Sequence, residues 1–251
     1  MTPLPWIEET SGEDVVLKPA GLPRDLVVAF SGRGVAPEGT ASATAHLSRR
    51  FARALGLPDV PIVRATQVHG TVSVLVRERP AAGTVFDAGK CDILLTAMPG
   101  VALAVQTADC VPIILAGPGA LALAHAGWRG SAKNAAGVAV EELSRLGVSP
   151  SRVRAWLGPS IRQCCYEVGG EVAALFPGEF TRRSRGSRYA LDLPAVNRAQ
   201  LAVAGVPAEG ISAHPTCTHC GGERFASYRR DGIAAGRMIA LALIRTAAET
   251  I

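Results

Sequence analysis

The sequence predicts an α+β fold, with mixed β-sheets in a sandwich-like core flanked by helices. Three observations support this. The first half holds a succession of short apolar runs of strand length. The second half shifts to helical spacing, and nowhere do strand and helix alternate regularly enough for a βαβ architecture. No repeat of fixed period and no Ser/Gly-rich linker divides the 251 residues, so 1–251 reads as a single domain.

Taken in order, the runs at 25–31, 72–77, 92–97, 101–106, 111–116 and 120–125 are predicted strands. Gly117-Pro118-Gly119 is a strong turn signal between the last two, which makes 111–125 a hairpin. From Ser131 to Leu146 the pattern becomes helical, with Val138, Leu143 and Leu146 on one face and Gly147 where a C-cap belongs. Further helices are predicted at 169–176, at 194–204 behind Pro194, and at 232–247.

Composition narrows the function. With 48% hydrophobic and 19% charged residues, disordered and low-complexity classes are excluded. The net charge of +5 suggests an acidic partner, but only three of the 26 cations are lysines (Lys18, Lys90, Lys133) and the arginines are scattered. Aromatic residues, at 5%, are too few for a base-stacking platform, so no nucleic-acid partner is expected. The opening segment carries four acids before Lys18 and no apolar run, unlike a signal or transit peptide. The most apolar stretch, Cys110 to Ala124, is broken by Pro112, Gly117, Pro118 and Gly119 and is too short for a bilayer. A cytoplasmic protein with no membrane partner is expected, its six cysteines serving as thiols or metal ligands rather than as disulfides.

Three segments place polar groups at the ends of apolar runs: TQVHG (66–70), TADCVPIIL (107–115) and AHAGWRG (124–130). Each offers one metal ligand or catalytic group, His69, Cys110 and His125, and burying such groups is costly unless they are paired or ligated. Taken singly, each is better explained as a structural residue, the histidines hydrogen-bonded in the core or a turn and Cys110 a small hydrophobe, and no short-spacing metal motif joins them.

The wider pattern adds CDILLT (91–96), GPSIRQCCYEVG (158–169), LDL (191–193), a Cys-Thr pair at 217–218, FASYRRDG (225–232) and GRM (236–238). In this order, over roughly residues 60–245, the chain resembles the laccase-domain (YfiH-type, multicopper polyphenol oxidoreductase) family. FSGRG (30–34) keeps part of that family's N-terminal motif, but residues 35–55 depart from it.

The resemblance implies a zinc site made by His69, Cys110 and His125, with a fourth position open as in catalytic zinc centres. Copper could also bind, since two imidazoles and one thiolate match the equatorial set of a blue-copper site. Five histidines in all (His46, His69, His125, His214, His219) are too few for a four-copper oxidase cluster, leaving only a single-copper polyphenol oxidase activity. The implied reaction is purine nucleoside phosphorolysis of adenosine, inosine or methylthioadenosine, with adenosine deamination as a side activity.

The implied partners are a small nucleoside and phosphate, and the implied state is a monomer. Arg33, Arg129, Arg229 and Arg230 are the phosphate candidates, because the planar guanidinium binds such anions bidentately. GWRGSAKN leads into a helix whose first amides could also bind an anion. Asp109 is a candidate acid/base or partner to a metal-bound histidine, and Arg33 and Cys110 are the other catalytic candidates. The rival enzyme reading is a cysteine hydrolase or amidase with Cys110 as nucleophile. Cys217-Thr-His-Cys220 is a lone CxxC and weak evidence for a second metal, and the vicinal Cys164–Cys165 pair reads as packing.

Overall fold

The computed structural model describes residues 5–12, 14–34 and 41–247. Its central strands are apolar on both sides. Strand Val111–Gly117 is buried except at its last residue, and Ala120–Ala126 is buried throughout. Such runs need cover on two faces, and the architecture supplies it as four layers.

The first sheet has seven strands, in the order Trp6–Ser11, Asp14–Pro19, Leu26–Ser31, Met238–Ile244, Ala102–Thr107, Ile62–Thr66 and Val85–Lys90. The second has six, in the order Ile211–Ala213, Arg154–Leu157, Val111–Gly117, Ala120–Ala126, Ile93–Thr96 and Ser73–Val76. Both are mixed. Ile62–Thr66 runs parallel to both its neighbours, whereas the pairs made by Met238–Ile244 are antiparallel. A small third sheet joins Glu167–Val168, Tyr189–Leu191 and Thr181–Arg183.

The two large sheets share an inner core in which Phe30, Leu103, Val105 and Met238 of the first meet Leu94, Ile114, Leu121 and Trp156 of the second. The outer face of the first sheet is covered by helix Ala41–Ala54 through Leu47 and Phe51. The outer face of the second is covered by helices Ala135–Arg145 and Leu193–Val203. The expected α+β sandwich is the observed fold.

The hairpin over 111–125 forms as expected, with Gly119 at φ +75° in the turn. The helix expected from Ser131 to Leu146 divides into Trp128–Ala132 and Ala135–Arg145, because Asn134 takes a left-handed conformation. Its buried face is made by Ala136, Ala139, Val140 and Leu143, with Val138 and Leu146 half-buried. Gly147, at φ +86°, closes it: its N–H donates to Ser144 O and that of Val148 to Leu143 O, a Schellman ending. The helix near 169–176 shortens to Gly170–Ala173.

The helix expected over 232–247 is corrected. Met238–Ile244 is a strand in the middle of the first sheet, preceded by a single 3-10 turn at Gly232–Ala234. A continuous apolar run carries no period of its own, so MIALALI satisfies helical and strand spacing alike, and the two open sheet edges it joins decide the matter. Of the atypical segment 35–55, residues 41–54 form the outer helix of the first sheet and 35–40 lie outside the described residues.

Candidate functional site

Three connections cross from the first sheet to the second, and each carries a polar residue to the same place. The link from Ile62–Thr66 to Ser73–Val76 carries His69. That from Val85–Lys90 to Ile93–Thr96 carries Asp92, and that from Ala102–Thr107 to Val111–Gly117 carries Cys110. His125 meets them from the end of Ala120–Ala126. Gln67 fixes the first link, its amide donating to Gln106 O and accepting from Gln106 N, both at 2.8 Å.

The ligand atoms of His69, Cys110 and His125 lie within 4.8 Å of one another. The two imidazoles are edge to face, with ring centroids 4.8 Å apart. His125 is buried and His69 faces solvent. The fully buried Asp92 braces both: Oδ1 sits 2.9 Å from His125 Nδ1 and accepts from His69 N at 2.9 Å, while Oδ2 accepts from Gly70 N at 2.6 Å. This leaves His125 Nε2 to face Cys110, as in carboxylate–histidine–metal arrangements. His69 (φ +59°) and Asp109 (φ +85°) both occupy the left-handed region, so two of the three corners are backbone-strained beside the site.

The electrostatics describe a thiolate–imidazolium pair held by a carboxylate. Burial works against a charged Cys110, but the two imidazoles hold its thiol down at about 6. Burial likewise opposes charge on His125, which Cys110 and then Asp92 nevertheless raise to about 9. Asp92 is held below the usual carboxylate range, against its burial, by His125 and by the amides of Gly70 and His69. A Cβ on Gly127 would lie 2.9 Å from Cys110 Sγ and 3.1 Å from His69 Cδ2, so the AHAGW glycine makes room for the cluster. Two imidazoles and a thiolate fit Zn²⁺ and equally Cu²⁺.

The remaining candidates divide. Asp109 does not touch either histidine. Its carboxylate accepts from Thr218 Oγ1 and from Arg229 N, both at 2.6 Å, tying the Cys110 corner to residues 218–229. The partner of the buried histidine His125 is Asp92, visible in the CDILLT motif but unreadable there, because its role depends on the strand pairing that sets Ile93 opposite Ala124.

Tyr166 is pushed above its ordinary range first by burial and then by Cys110 and Asp109, with Arg229 and Arg129 pulling against them. Of these groups, Arg229 makes contact with Tyr166 and, through its peptide N–H, with Asp109. Arg129 is exposed with its guanidinium 4.3 Å from the Trp128 ring, and Arg229 lies 5.2 Å from the Tyr166 ring while donating to Glu167 O.

Arg230 is otherwise engaged: its guanidinium donates to Asp231 and to the carbonyls of Thr218, His219, Gly222 and Phe225, leaving no donor for an anion. Arg33 stands 3.8 Å from Asp231. Helix Trp128–Ala132, at five residues, is too short for the expected amide cradle to act as a helix N-terminus.

The fold and the cluster define a laccase-like protein with a His₂Cys centre. The family model for multi-copper polyphenol oxidoreductase laccase matches residues 34–245, and the chain belongs to this family. It is 42% identical over 199 residues to a purine nucleoside phosphorylase of Deinococcus radiodurans, covering 76% of this chain and 74% of that protein. It is 37% identical over 200 residues to adenosine deaminase RL5 of an unknown prokaryote, covering 74% and 76%. Among solved structures, YlmD of Geobacillus stearothermophilus superposes with a TM-score of 0.83 at 32% identity, over 96% of this chain and all (100%) of that one. YfiH of Bacillus licheniformis gives 0.82 at 26% identity, over 92% and 96%. No helix among the described residues is long and apolar enough to cross a membrane.

Proposed function

We propose that the protein is a zinc-dependent purine nucleoside phosphorylase that splits adenosine, inosine or methylthioadenosine into free base and ribose 1-phosphate. The observation that carries this reading is the His69–Cys110–His125 set braced by Asp92. The relatives named purine nucleoside phosphorylase support it. A zinc ion held by the three ligands would supply a Lewis acid there.

In the reaction a phosphate oxygen bonds to C1′ as the C1′–N bond breaks, and the purine leaves with the bonding pair and takes up a proton. Arg129 and Arg229 bind the phosphate from the exposed rim, and Tyr166 packs against the substrate. Asp109 keeps the Arg229 peptide in place. Arg230 is a positioning residue. Adenosine deamination in the same pocket is a second reading, favoured by the relative named adenosine deaminase.

The test is chromatography of zinc-loaded protein with adenosine or inosine, with and without phosphate, beside Cys110→Ser. Free base that requires phosphate and vanishes in the variant supports phosphorolysis. Inosine formed from adenosine without phosphate supports deamination. No product with zinc bound, together with rapid alkylation of Cys110, turns the assignment to a cysteine hydrolase.

A further inference from the structure

The remaining cysteines form a second cluster. Cys164 and Cys165 come from the loop after strand Arg154–Leu157, and Cys217 and Cys220 from a turn more than fifty residues later, yet all four sulfurs lie within 4.8 Å of one another. Cys165 Sγ is 3.2 Å and Cys164 Sγ 3.7 Å from Cys220 Sγ. We propose that Cys164, Cys165, Cys217 and Cys220 form a second metal site, a tetrathiolate that takes zinc and clamps two loops beside the catalytic pocket. The inference does not depend on the nucleoside reading.

The spacing is that of a tetrahedral site. Four sulfurs each about 2.3 Å from an ion are about 3.8 Å from one another, so the observed cluster needs only small adjustments to close on zinc. The CxxC turn is already shaped for it. Cys217 Sγ accepts the N–H of Arg162 at 3.4 Å, and Gly221 N donates to Cys217 O, with Gly222 at φ +62° turning the chain away.

The thiols do not share one electrostatic environment. Partial desolvation and the Cys217 sulfur push the Cys164 thiol up to about 11, and desolvation with Cys220 raises Cys165 further. Cys217, in spite of its burial, is held below the ordinary thiol range by the amides of Cys220 and Arg162. Four thiols packed this closely ionise together only around a cation, which would release their protons on binding.

The site's place in the fold gives it a task. Ser160 and Cys217 form an isolated parallel bridge outside the strands, and Arg162 N bonds to a sulfur of the cluster. Tyr166 follows Cys165 directly, and Thr218, next to Cys217, holds Asp109. Tyr166 and Asp109 thus both hang from the clamp. His214 takes no part: it is buried edge-on against Trp6.

The test is metal content by mass spectrometry on protein purified with zinc and reductant, with Co²⁺ substitution as an optical readout. Two zinc ions per wild-type chain are expected, one in Cys110→Ser and one in Cys217→Ser. Cys164→Ser, altered at an exposed position, guards against loss of folding and should retain one firmly held ion. With Co²⁺, the sulfur-to-cobalt charge-transfer band of Cys110→Ser should be several-fold stronger per ion than that of Cys217→Ser, since four thiolates then face one. A wild-type chain with one zinc, lost on Cys110→Ser and kept on Cys217→Ser, overturns the proposal. So does a Cys165–Cys220 disulfide in protein purified without oxidant.

Discussion

Asp92 and His125 are joined twice: the carboxylate meets Nδ1 at 2.9 Å, and the His125 peptide N–H donates to the Asp92 carbonyl at 2.8 Å. The same carboxylate receives the amides of His69 and Gly70. One acid therefore sets the ring orientation of one ligand and the backbone of another.

Replacing that acid should weaken the metal more than the fold. Asp92→Asn keeps the shape but loses the charge and one acceptor, and metal affinity should fall by about 10–100-fold. Competition with a chromophoric chelator measures this. Unchanged affinity would show that the carboxylate only shapes the loop.

Space is the second constraint. Gly127→Ala sets a methyl 2.9 Å from Cys110 Sγ, with little room to move between two fixed strands. Stability should fall by about 1–3 kcal/mol, as in overpacked cores, and metal affinity should fall with it. Urea unfolding of the zinc-loaded and EDTA-treated protein separates the two effects. A variant indistinguishable from wild type in both would place the cluster farther from Gly127 than the geometry allows.

The arginines should separate by phenotype. Arg129→Ala and Arg229→Ala each remove one charged donor from the rim and should raise the KM for phosphate by roughly ten- to a hundredfold with little change in Tm. Arg230→Ala removes contacts to four carbonyls and Asp231 and should lower stability by on the order of 2–3 kcal/mol. A phosphate KM raised by Arg230→Lys alone, at unchanged Tm, would falsify this division.

Stability should also fall in mild acid through His214. Burial, with Arg162 and Arg224 against the opposing Glu8, lowers its pKa to about 4, and Nδ1 accepts the Thr216 N–H, which suits the neutral ring. The unfolded chain takes up this proton near pH 6.5 and the folded chain only near 4, so stability is lost as pH falls across that window. The loss reaches about 3 kcal/mol at its lower end. Chemical denaturation of wild type and His214→Gln between pH 7 and 4 reads it: the slope should flatten in the variant.

Much of this was legible in the sequence, and for uneven reasons. The 111–125 hairpin could be read because Gly-Pro-Gly is local chemistry, and Gly147 because a helix ending is. The three candidate ligands stood out singly as polar groups ending apolar runs, but only the order of their motifs joined them, since His69 and Cys110 sit on different sheet-crossing links and His125 at the end of a strand. Asp92 was hidden by register, which no local pattern encodes. Strand Met238–Ile244 was misread because burial on two faces erases the alternation that marks a strand. The cysteine pairs looked idle because the contact between them closes a loop of more than fifty residues.

The position of that misread strand has a consequence for how the protein is made. Met238–Ile244 lies between Leu26–Ser31 and Ala102–Thr107, so early-synthesised strands on either side stay unjoined until almost the whole described chain has left the ribosome. Two apolar edges are meanwhile exposed, and their closure requires contacts across well over a hundred residues on one side and more than two hundred on the other, the slow and aggregation-prone kind. The first sheet therefore closes late, zipped shut by Met238–Ile244.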